Sequence, residues 1–377
     1  VSGGSMSFIV PNTFCDLENA DAFRRHVLRS FSLRNIWQTG WAFDSAVVDT
    51  LVFFMSKRPP KARAMVEILI DGRTFARSLQ SFLSNELSKI DYRNDASDRK
   101  LLDKLSTVGT PLSNLASVKA GVKLYERGKG IPPQDARVIA KKPYTVKETC
   151  PKGWRPLFRG GHVERYRLAV TGEFVHYGEW LAAPRAPELF EGPKILVRRT
   201  DDVLRAALEE HGGVAVNSCH VIKILDSRSE RPAYEYLAAC LNSRLLQYFF
   251  ERKNPQMVGK TFAEIKVVYV ERLPVRVIDC ANEVESEIRD TLIGLARRVT
   301  SARTTNPSAD VSPLEAEIDQ LVYKLYGLTT DEIALVEESA ATAGKASGRS
   351  KKTAAMPKKK VRRKRKADLP PSLPGWD

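Results

Sequence analysis

The first part of the chain, residues 3–57, has the pattern of an α/β unit that cannot complete a fold by itself. Residues 7–10 form a short apolar run that ends at a loop signal, and residues 17–30 have the apolar spacing of a helix. Residues 46–55 are rich in β-branched and aromatic side chains, as is typical of a strand buried on both faces. About 55 residues of this kind are too few to cover both faces of a sheet. We therefore expect this unit to need a partner, either elsewhere in the chain or outside it.

Composition divides the rest of the chain into four segments. A breaker at residues 57–61 (KRPPK) separates residues 1–57 from the polar residues 58–124, which we interpret as a helical connector. Residues 125–275 alternate short strand and helix patterns and are predicted to form a mixed α/β domain. The predicted fold class is therefore α/β. The last two segments are a closing helical segment, residues 276–340, and a low-complexity basic tail, residues 341–377, which we expect to be disordered.

Charge and cysteine usage limit the class of protein. The formal net charge is +15, but the tail holds twelve Lys and Arg against two Asp and supplies +10 of it. The body is only mildly basic, so nucleic-acid binding by the body must depend on where its charges lie. The five cysteines are scattered without a C-x-x-C pair, which argues for a reducing compartment and against a disulfide frame or a zinc site. No run is long and apolar enough for a membrane span, and no signal-peptide pattern is present, so we expect no membrane partner.

The strongest candidate for contacting nucleic acid is the block at residues 155–166 (RPLFRGGHVERY). It places three arginines, one histidine and two aromatic residues around the pair Gly160-Gly161. Arginine offers a planar fork that can grip a phosphate or read guanine, and glycine lets a backbone come close to a ligand. A basic surface turn is the alternative interpretation of this block.

Two further blocks add cations and polar groups. Residues 194–200 (KILVRRT) end in Arg198 and Arg199. Neighbouring residues on a strand point to opposite faces, so only one of the two can face a given ligand, and the other can form a salt bridge. Residues 217–220 (NSCH) can read base edges, although turn formation is the commoner use of such a cluster.

Signatures of common catalytic centres are absent from the sequence. It contains no G-x-S-x-G, no H-E-x-x-H and no P-loop, and its histidines lack the spacing of a metal site, so we expect no metal. The acid-x-Lys pair of Glu264 and Lys266 gives weak support to a nuclease, since such pairs are common by chance.

The order of the blocks resembles the second half of the N6-adenine DNA methyltransferases of restriction-modification and phage-defence systems, which end in a TaqI-like C-terminal specificity domain. Residues 3–14 (GGSMSFIVPNTF) resemble the strand and loop after the catalytic motif of that family, and residues 43–50 (FDSAVVDT) resemble its late strand pair. The blocks that follow in the order of the specificity domain are residues 157–166, 194–200, 217–220, 241–243 and 271–274. The resemblance implies the terminal strands of a Rossmann-like methyltransferase sheet, followed by a mixed α/β target-recognition domain.

Two family motifs do not occur in this chain. The family binds S-adenosylmethionine through a glycine-bearing loop and acts through an Asn/Asp-Pro-Pro-Tyr/Phe motif, and none of the three Pro-Pro pairs here has that form. The resemblance therefore implies that no catalytic residue lies in this chain, and that the complete enzyme, not this chain alone, binds S-adenosylmethionine. One residue of the catalytic domain carries over: Phe43 matches the aromatic that stacks on a flipped adenine. A phenylalanine of the core is the alternative.

On this resemblance we expect double-stranded DNA as a partner, together with a catalytic part or a separate methyltransferase subunit. The alternative is a stand-alone, non-catalytic DNA-specificity subunit. We expect the protein in the bacterial or archaeal cytoplasm, associated with the nucleoid. The residues expected to contact DNA are Arg159, Gly160, His162, Arg165, Tyr166, Lys194, Arg198, Arg199, Asn217 and His220.

Overall fold

The computed structural model of the chain describes residues 4–40, 50–70, 72–225, 232–254 and 264–353. Its N-terminal unit contains the elements β1 (Ser5–Pro11), α1 (Asp21–Ser30), β2 (Ser32–Gly40), β3 (Thr50–Ser56), β4 (Met65–Ile70), β5 (Arg73–Ser78) and α2 (Leu79–Ser84). The strands form a five-stranded sheet in the order β1-β3-β2-β4-β5. β3 runs antiparallel to both β1 and β2, so β1 and β2 are parallel to each other, and α1 lies between them in the chain. The expected α/β character of this unit is confirmed.

Strands β4 and β5 correct the expectation that residues 58–124 form a helical connector. Along β4, Val66, Ile68 and Ile70 are buried, whereas the residues between them are exposed. This period of two is that of a strand with one face against a core. β4 pairs in parallel with β2, so the connector residues extend the first sheet.

A buried arginine fixes the loops around the first sheet. Arg24 in α1 is fully buried, and its Nη1 atom donates to the carbonyl oxygens of Phe14 and Leu17 at 2.8 and 2.7 Å. Its Nη2 atom donates to the carbonyl of Leu87 at 2.8 Å. Because a buried guanidinium needs partners for its N–H groups, these bonds hold the helix and both loops together.

The second unit alternates short strands with helices. Its elements are α3 (Ala96–Val108), β6 (Thr110–Pro111), β7 (Ala116–Ala120), α4 (Ala136–Lys141), β8 (Thr145–Lys147), β9 (Arg155–Phe158), β10 (Val163–Glu164), β11 (Arg167–Leu168), β12 (Glu173–Val175), β13 (Lys194–Arg198), β14 (Ala206–Glu209), β15 (Val214–Ala215), β16 (Cys219–Ile224), α5 (Tyr234–Asn242), α6 (Arg244–Lys253), α7 (Val267–Glu271) and β17 (Pro274–Val275). One antiparallel sheet has the order β14-β13-β16-β7, and a second sheet has the order β15-β9-β12-β8. The prediction of a mixed α/β domain is confirmed.

Strand β13 shows how the layers are arranged. Ile195 and Val197 belong to the large core that includes helices α3, α5 and α6. Leu196, which points to the opposite face, belongs to the smaller core shared with the second sheet. The strand is thus buried on both faces, which explains why it reads as a continuous apolar run. The β13–β16 sheet is therefore a central layer between the helices and the second sheet.

Three helices follow the second unit: α8 (Glu283–Thr305), α9 (Ser312–Leu325) and α10 (Thr330–Thr353). Leu292 of α8 and Val322 of α9 are fully buried in the same core as α3, α5 and α6, so the predicted closing helical pair is present. The helix α10 extends past residue 341, where the sequence predicts the start of a disordered tail. The run of alanines there has high helix propensity. Residues 354–377 lie outside the described part of the chain.

Candidate nucleic-acid interface

Three blocks that are distant in sequence meet at one end of the central sheet. The backbone N–H of Gly160 donates to Ser218 Oγ at 2.9 Å, and the N–H of Arg199 donates to the carbonyl of Ser218 at 2.9 Å. The turn after β9, the end of β13 and the turn before β16 therefore form one surface. We call Arg159, Arg198 and Arg199, which lie on this surface, the arginine cluster.

Gly160 is required by the close approach of these turns. A Cβ atom at this position would lie 2.6 Å from the carbonyl oxygen of Ser218, a distance at which backbone atoms must shift. At Gly161 an added Cβ would meet open space. The first glycine therefore serves the packing of the turns, whereas the second leaves the surface open to an approaching ligand.

Arg199 donates three of its five N–H groups to partners within the protein. Its Nε and Nη2 atoms donate to Oε1 of Glu264 at 3.2 and 2.5 Å, and Nη1 donates to the carbonyl of Asn217 at 2.8 Å. The side-chain hydrogen bond and the charge of Arg199 lower the pKa of Glu264 below its ordinary value. Glu264 is thus ionised and fixes the plane of the guanidinium group.

The other two arginines also have acidic partners. Arg159 Nε donates to Glu173 Oε2 at 2.8 Å. Arg198 Nε donates to the carbonyl of Thr200 at 3.1 Å and lies 3.4 Å from Asp201 Oδ2. All three guanidinium groups are partly exposed, with 44%, 36% and 29% of the side-chain surface accessible for Arg159, Arg198 and Arg199. The cluster therefore presents cations that are oriented before any ligand binds.

His162 lies at the same turn. Its Nδ1 atom accepts a hydrogen bond from the backbone N–H of Arg159 at 3.1 Å, so in the neutral ring the proton sits on Nε2. Partial burial lowers the pKa of His162, and the charge of Arg159 lowers it further against the opposing effect of Glu173. The ring is thus neutral at pH 7 and offers one N–H donor beside the arginine cluster.

Three residues expected to contact DNA lie in the interior. Lys194 is fully buried and donates to Glu209 and to the carbonyl of Phe190. His220 is buried, with Nε2 2.6 Å from the carbonyl oxygen of Ile265. Tyr166 is buried in the main core. These placements do not fit the expected DNA contacts, because the side chains stabilise the fold instead of reaching the surface.

Three further expected residues have different outcomes. Arg165 is partly exposed, but its Nε atom donates to Glu315 Oε1 of α9 at 2.9 Å, so it links the recognition domain to the closing helices. Phe43 lies outside the described residues. Asn217 is partly exposed beside the arginine cluster.

Sequence reasoning missed two acidic partners of the arginine cluster, whereas Asp201, close to Arg198 in the chain, is an expected salt-bridge partner. Glu173 and Glu264 lie on segments that are remote in sequence from the arginines they hold, and no local pattern pairs them. In the sequence, Glu264 stands out only through its acid-x-Lys spacing to Lys266. Its carboxylate is held by Arg199, whose charge opposes a cation at the same oxygen.

Within the described ranges, no group of three or more His, Cys, Asp or Glu side chains could hold a metal ion. The same ranges contain no helix that is long and apolar enough to cross a membrane.

A known family matches the part of the chain that carries this surface. The model of the TaqI-like C-terminal specificity domain matches residues 155–275, so the chain contains such a domain. The match includes the arginine cluster together with Asn217 and Glu264. It confirms the resemblance of this segment and supports DNA sequence recognition as its role.

Solved structures of restriction-modification proteins are also similar to the chain. The Type IIL restriction-modification enzyme MmeI in complex with DNA is 11% identical with a TM-score of 0.47, covering 91% of this chain and 50% of that chain. The type IIG restriction endonuclease BpuSI is 13% identical with a TM-score of 0.37, covering 86% of this chain and 47% of that chain. The HsdS subunit from Thermoanaerobacter tengcongensis is 12% identical with a TM-score of 0.28, covering 61% of this chain and 50% of that chain. The chain thus spans about half the length of each, and no curated protein matches it.

Proposed function

We propose that this chain, which carries a TaqI-like C-terminal specificity domain, recognises a base sequence in double-stranded DNA as part of an adenine-specific methyltransferase of a restriction-modification or phage-defence system. The observation that carries the proposal is the arginine cluster. Arginine reads guanine through two hydrogen bonds in the major groove, which requires a guanidinium plane at a fixed angle. The acids Glu173, Asp201 and Glu264 supply that orientation.

The open turn at Gly161 complements the arginines. A Cβ there would meet nothing within contact distance, so a DNA strand can come close to the backbone of this turn. Asn217 and His162 lie on the same surface and offer neutral hydrogen-bonding groups. Charged, amide and imidazole groups together are the set that distinguishes one base edge from another.

The first sheet supports the methyltransferase part of the proposal. Its strand β3 lies antiparallel between the parallel strands β1 and β2. This arrangement is the one expected for a strand followed by a helix and a late hairpin at the end of a methyltransferase sheet. Among the described strands, β1 pairs only with β3, so its other edge is open. Phe8 and Ile9 on β1 are 53% and 42% exposed and point to opposite faces of the sheet. An open edge strand with exposed apolar side chains is a template for another strand.

An apolar cavity beside β1 indicates where that neighbour would pack. It has a volume of about 370 Å³ and lies between β1 and α1, where Met6, Phe8, Phe14 and Phe23 line it. We infer that the catalytic part of the enzyme, with the S-adenosylmethionine site, adds strands at β1 and covers this cavity. The chain would then supply target recognition and the last strands of the catalytic sheet.

A selection experiment tests DNA recognition directly. The chain is incubated with a random library of duplexes, bound duplexes are amplified over several rounds, and affinities for the enriched duplex and a scrambled one are compared. We expect one enriched site and a higher affinity for it, both retained when residues 354–377 are removed. Loss of all binding on removal of residues 354–377, or enrichment of no site, would overturn the proposal.

The methyltransferase assignment has its own test. The chain is mixed with duplex and S-adenosylmethionine carrying a labelled methyl group, alone and together with a catalytic part that contains the Asn-Pro-Pro-Tyr motif. We expect no transfer by the chain alone and transfer to adenine when both parts are present. Transfer by the isolated chain would show that the assignment of the catalytic residues is wrong.

A further inference from the structure

We propose that a second surface of this chain holds DNA phosphates beside the recognised site, so that affinity and base reading are supplied by different residues. The inference rests on the proposed DNA recognition and names the group that would bind the backbone. We call the exposed cations of residues 127–152 the basic face: Arg127, Lys129, Arg137, Lys141, Lys142, Lys147 and Lys152.

The basic face differs from the arginine cluster in how its charges are used. All seven side chains are exposed, and within the described part of the chain none of them forms an ion pair. Each arginine of the cluster, in contrast, lies beside a carboxylate. When exposed cations without an acidic partner bind DNA phosphates, they release the counterions condensed on the DNA. Arginines held by a carboxylate are suited to directional hydrogen bonds.

A rigid frame carries the basic face. The rings of Tyr125 and Tyr144 are stacked with centroids 5.8 Å apart and an angle of 8° between planes. The N–H of Tyr144 donates to the hydroxyl oxygen of Tyr125 at 2.9 Å, and that oxygen lies 3.2 Å from Thr145 Oγ1. These contacts attach the start of β8, with Lys142 and Lys147, to Tyr125, which lies just before the loop at residues 127–133.

The loop at residues 127–133 is fixed in the same way. Gln134 is buried, and its Nε2 atom donates to the carbonyls of Leu124 and Trp180 at 2.9 and 2.8 Å. Its Oε1 atom accepts from the N–H of Glu126 at 2.9 Å. Arg127 and Lys129 are therefore attached to a loop whose base is bonded to the core, which lowers the entropy lost when their charges meet a phosphate.

The basic face begins next to the arginine cluster. Lys147 of β8 lies directly opposite Glu173 of β12 in the antiparallel register, and Glu173 is the partner of Arg159. Opposite residues in such a pair are about 5 Å apart at Cα and share a face of the sheet. β8 is also the edge strand of its sheet. A duplex that contacts Arg159 can thus continue across β8 onto Lys147 and Lys142.

The test is the salt dependence of DNA binding. In the full chain, the triple substitution Lys141→Gln, Lys142→Gln and Lys147→Gln removes three charges of the basic face, and affinities for the selected and the scrambled duplex are measured over a series of salt concentrations. Log affinity falls with log salt concentration, and each lost phosphate contact reduces the steepness of this fall by about 0.9. We expect the steepness to decrease by about 2.7 for both duplexes. The ratio of their affinities should change by less than about twofold.

The matched control is Arg58→Gln, Lys61→Gln and Arg63→Gln, three exposed cations on the loop between β3 and β4. It removes the same charge from the first unit, and we expect little change of the slope. An equal decrease in both variants, or an unchanged slope in the first, would overturn the basic face as a phosphate site. If the wild-type chain selects no sequence at all, it is the proposed function that fails.

Discussion

Glu264 Oε1 accepts hydrogen bonds from both Nε and Nη2 of Arg199, at 3.2 and 2.5 Å. The two residues are also joined through the backbone, because the N–H of Ile265 donates to the carbonyl of Arg199 at 2.7 Å. Since the carbonyl of Asn217 accepts from Nη1, the guanidinium plane is fixed, and two of its five N–H groups, one on each Nη atom, are left to donate to a base. The geometry that we assign to base reading thus exists in the protein without DNA.

Glu264→Gln should weaken sequence discrimination more than it weakens binding. The amide offers one neutral acceptor in place of the carboxylate, so Arg199 loses a charge-assisted partner and gains rotational freedom. A well-placed bidentate arginine contributes about 1–3 kcal/mol of discrimination, so we expect the affinity ratio of selected to scrambled duplex to fall about tenfold. Titration with both duplexes measures this ratio. Glu317→Gln, at an exposed position of α9, is the matched control, and equal ratios in both variants would contradict the orienting role.

The two adjacent glycines of the turn should respond differently to alanine. Gly160→Ala places Cβ 2.6 Å from the carbonyl oxygen of Ser218, so the turn must move away from β16 and carry Arg159 with it. Overpacking of this kind costs about 1–3 kcal/mol, and we expect a loss of stability together with a lower affinity ratio. Gly161→Ala meets open space and should unfold at the wild-type denaturant concentration. Urea unfolding of both variants checks this, and an equal loss of stability in the two would refute it.

Lys194→Met should destabilise the fold without changing the salt dependence of DNA binding. Lys194 forms a buried ion pair with Glu209, and burial lowers the pKa of Lys194 against the opposing effect of that partner. Removing one member of such a pair leaves an uncompensated charge and costs about 3–5 kcal/mol. The double substitution with Glu209→Met should recover most of that loss. Urea unfolding measures the stability of the single and the double variant. If the salt dependence of DNA binding in Lys194→Met is less steep by about 1, Lys194 would instead contact a phosphate.

The interface could be predicted from the sequence in its outline but not in its side-chain roles. The blocks around Arg159 and Arg198 do meet on one surface, because the ends of β9 and β13 are brought together by Ser218. Lys194 stands in the same basic block as Arg198, yet it is buried. The apolar run of β13 does indicate burial on both faces. It does not show that Lys194, at the start of the run, lies inside with Glu209, because Glu209 belongs to another strand.

The first sheet shows a second reason for the errors. Residues 58–124 are polar overall, and this composition favours a connector over a core element. The strand β4 within them is an apolar run (MVEILI), and only the structure shows that Val66, Ile68 and Ile70 face the core while Leu69 is 40% exposed.

The pH dependence of stability should report on His220. Desolvation lowers the pKa of this buried ring, and the charge of Arg199 lowers it further, whereas the bond to the carbonyl of Ile265 and the charge of Glu264 oppose the shift. In the unfolded chain a histidine has a pKa of about 6.5. The stability contributed by the neutral ring is therefore complete above that value and is lost as the pH falls through the lower pKa of the folded state.

His220→Gln should remove this loss, because the amide Nε2 can donate to the same carbonyl oxygen without titrating. Below about pH 6 the free energy of unfolding of the wild type should fall more steeply than that of the variant, by up to about 1.4 kcal/mol per pH unit for one proton. Urea unfolding between about pH 5 and pH 8 measures the difference. His211→Gln, at an exposed position, is the control and should follow the wild-type curve. Parallel curves for the wild type and His220→Gln would show that His220 does not resist protonation in the folded state.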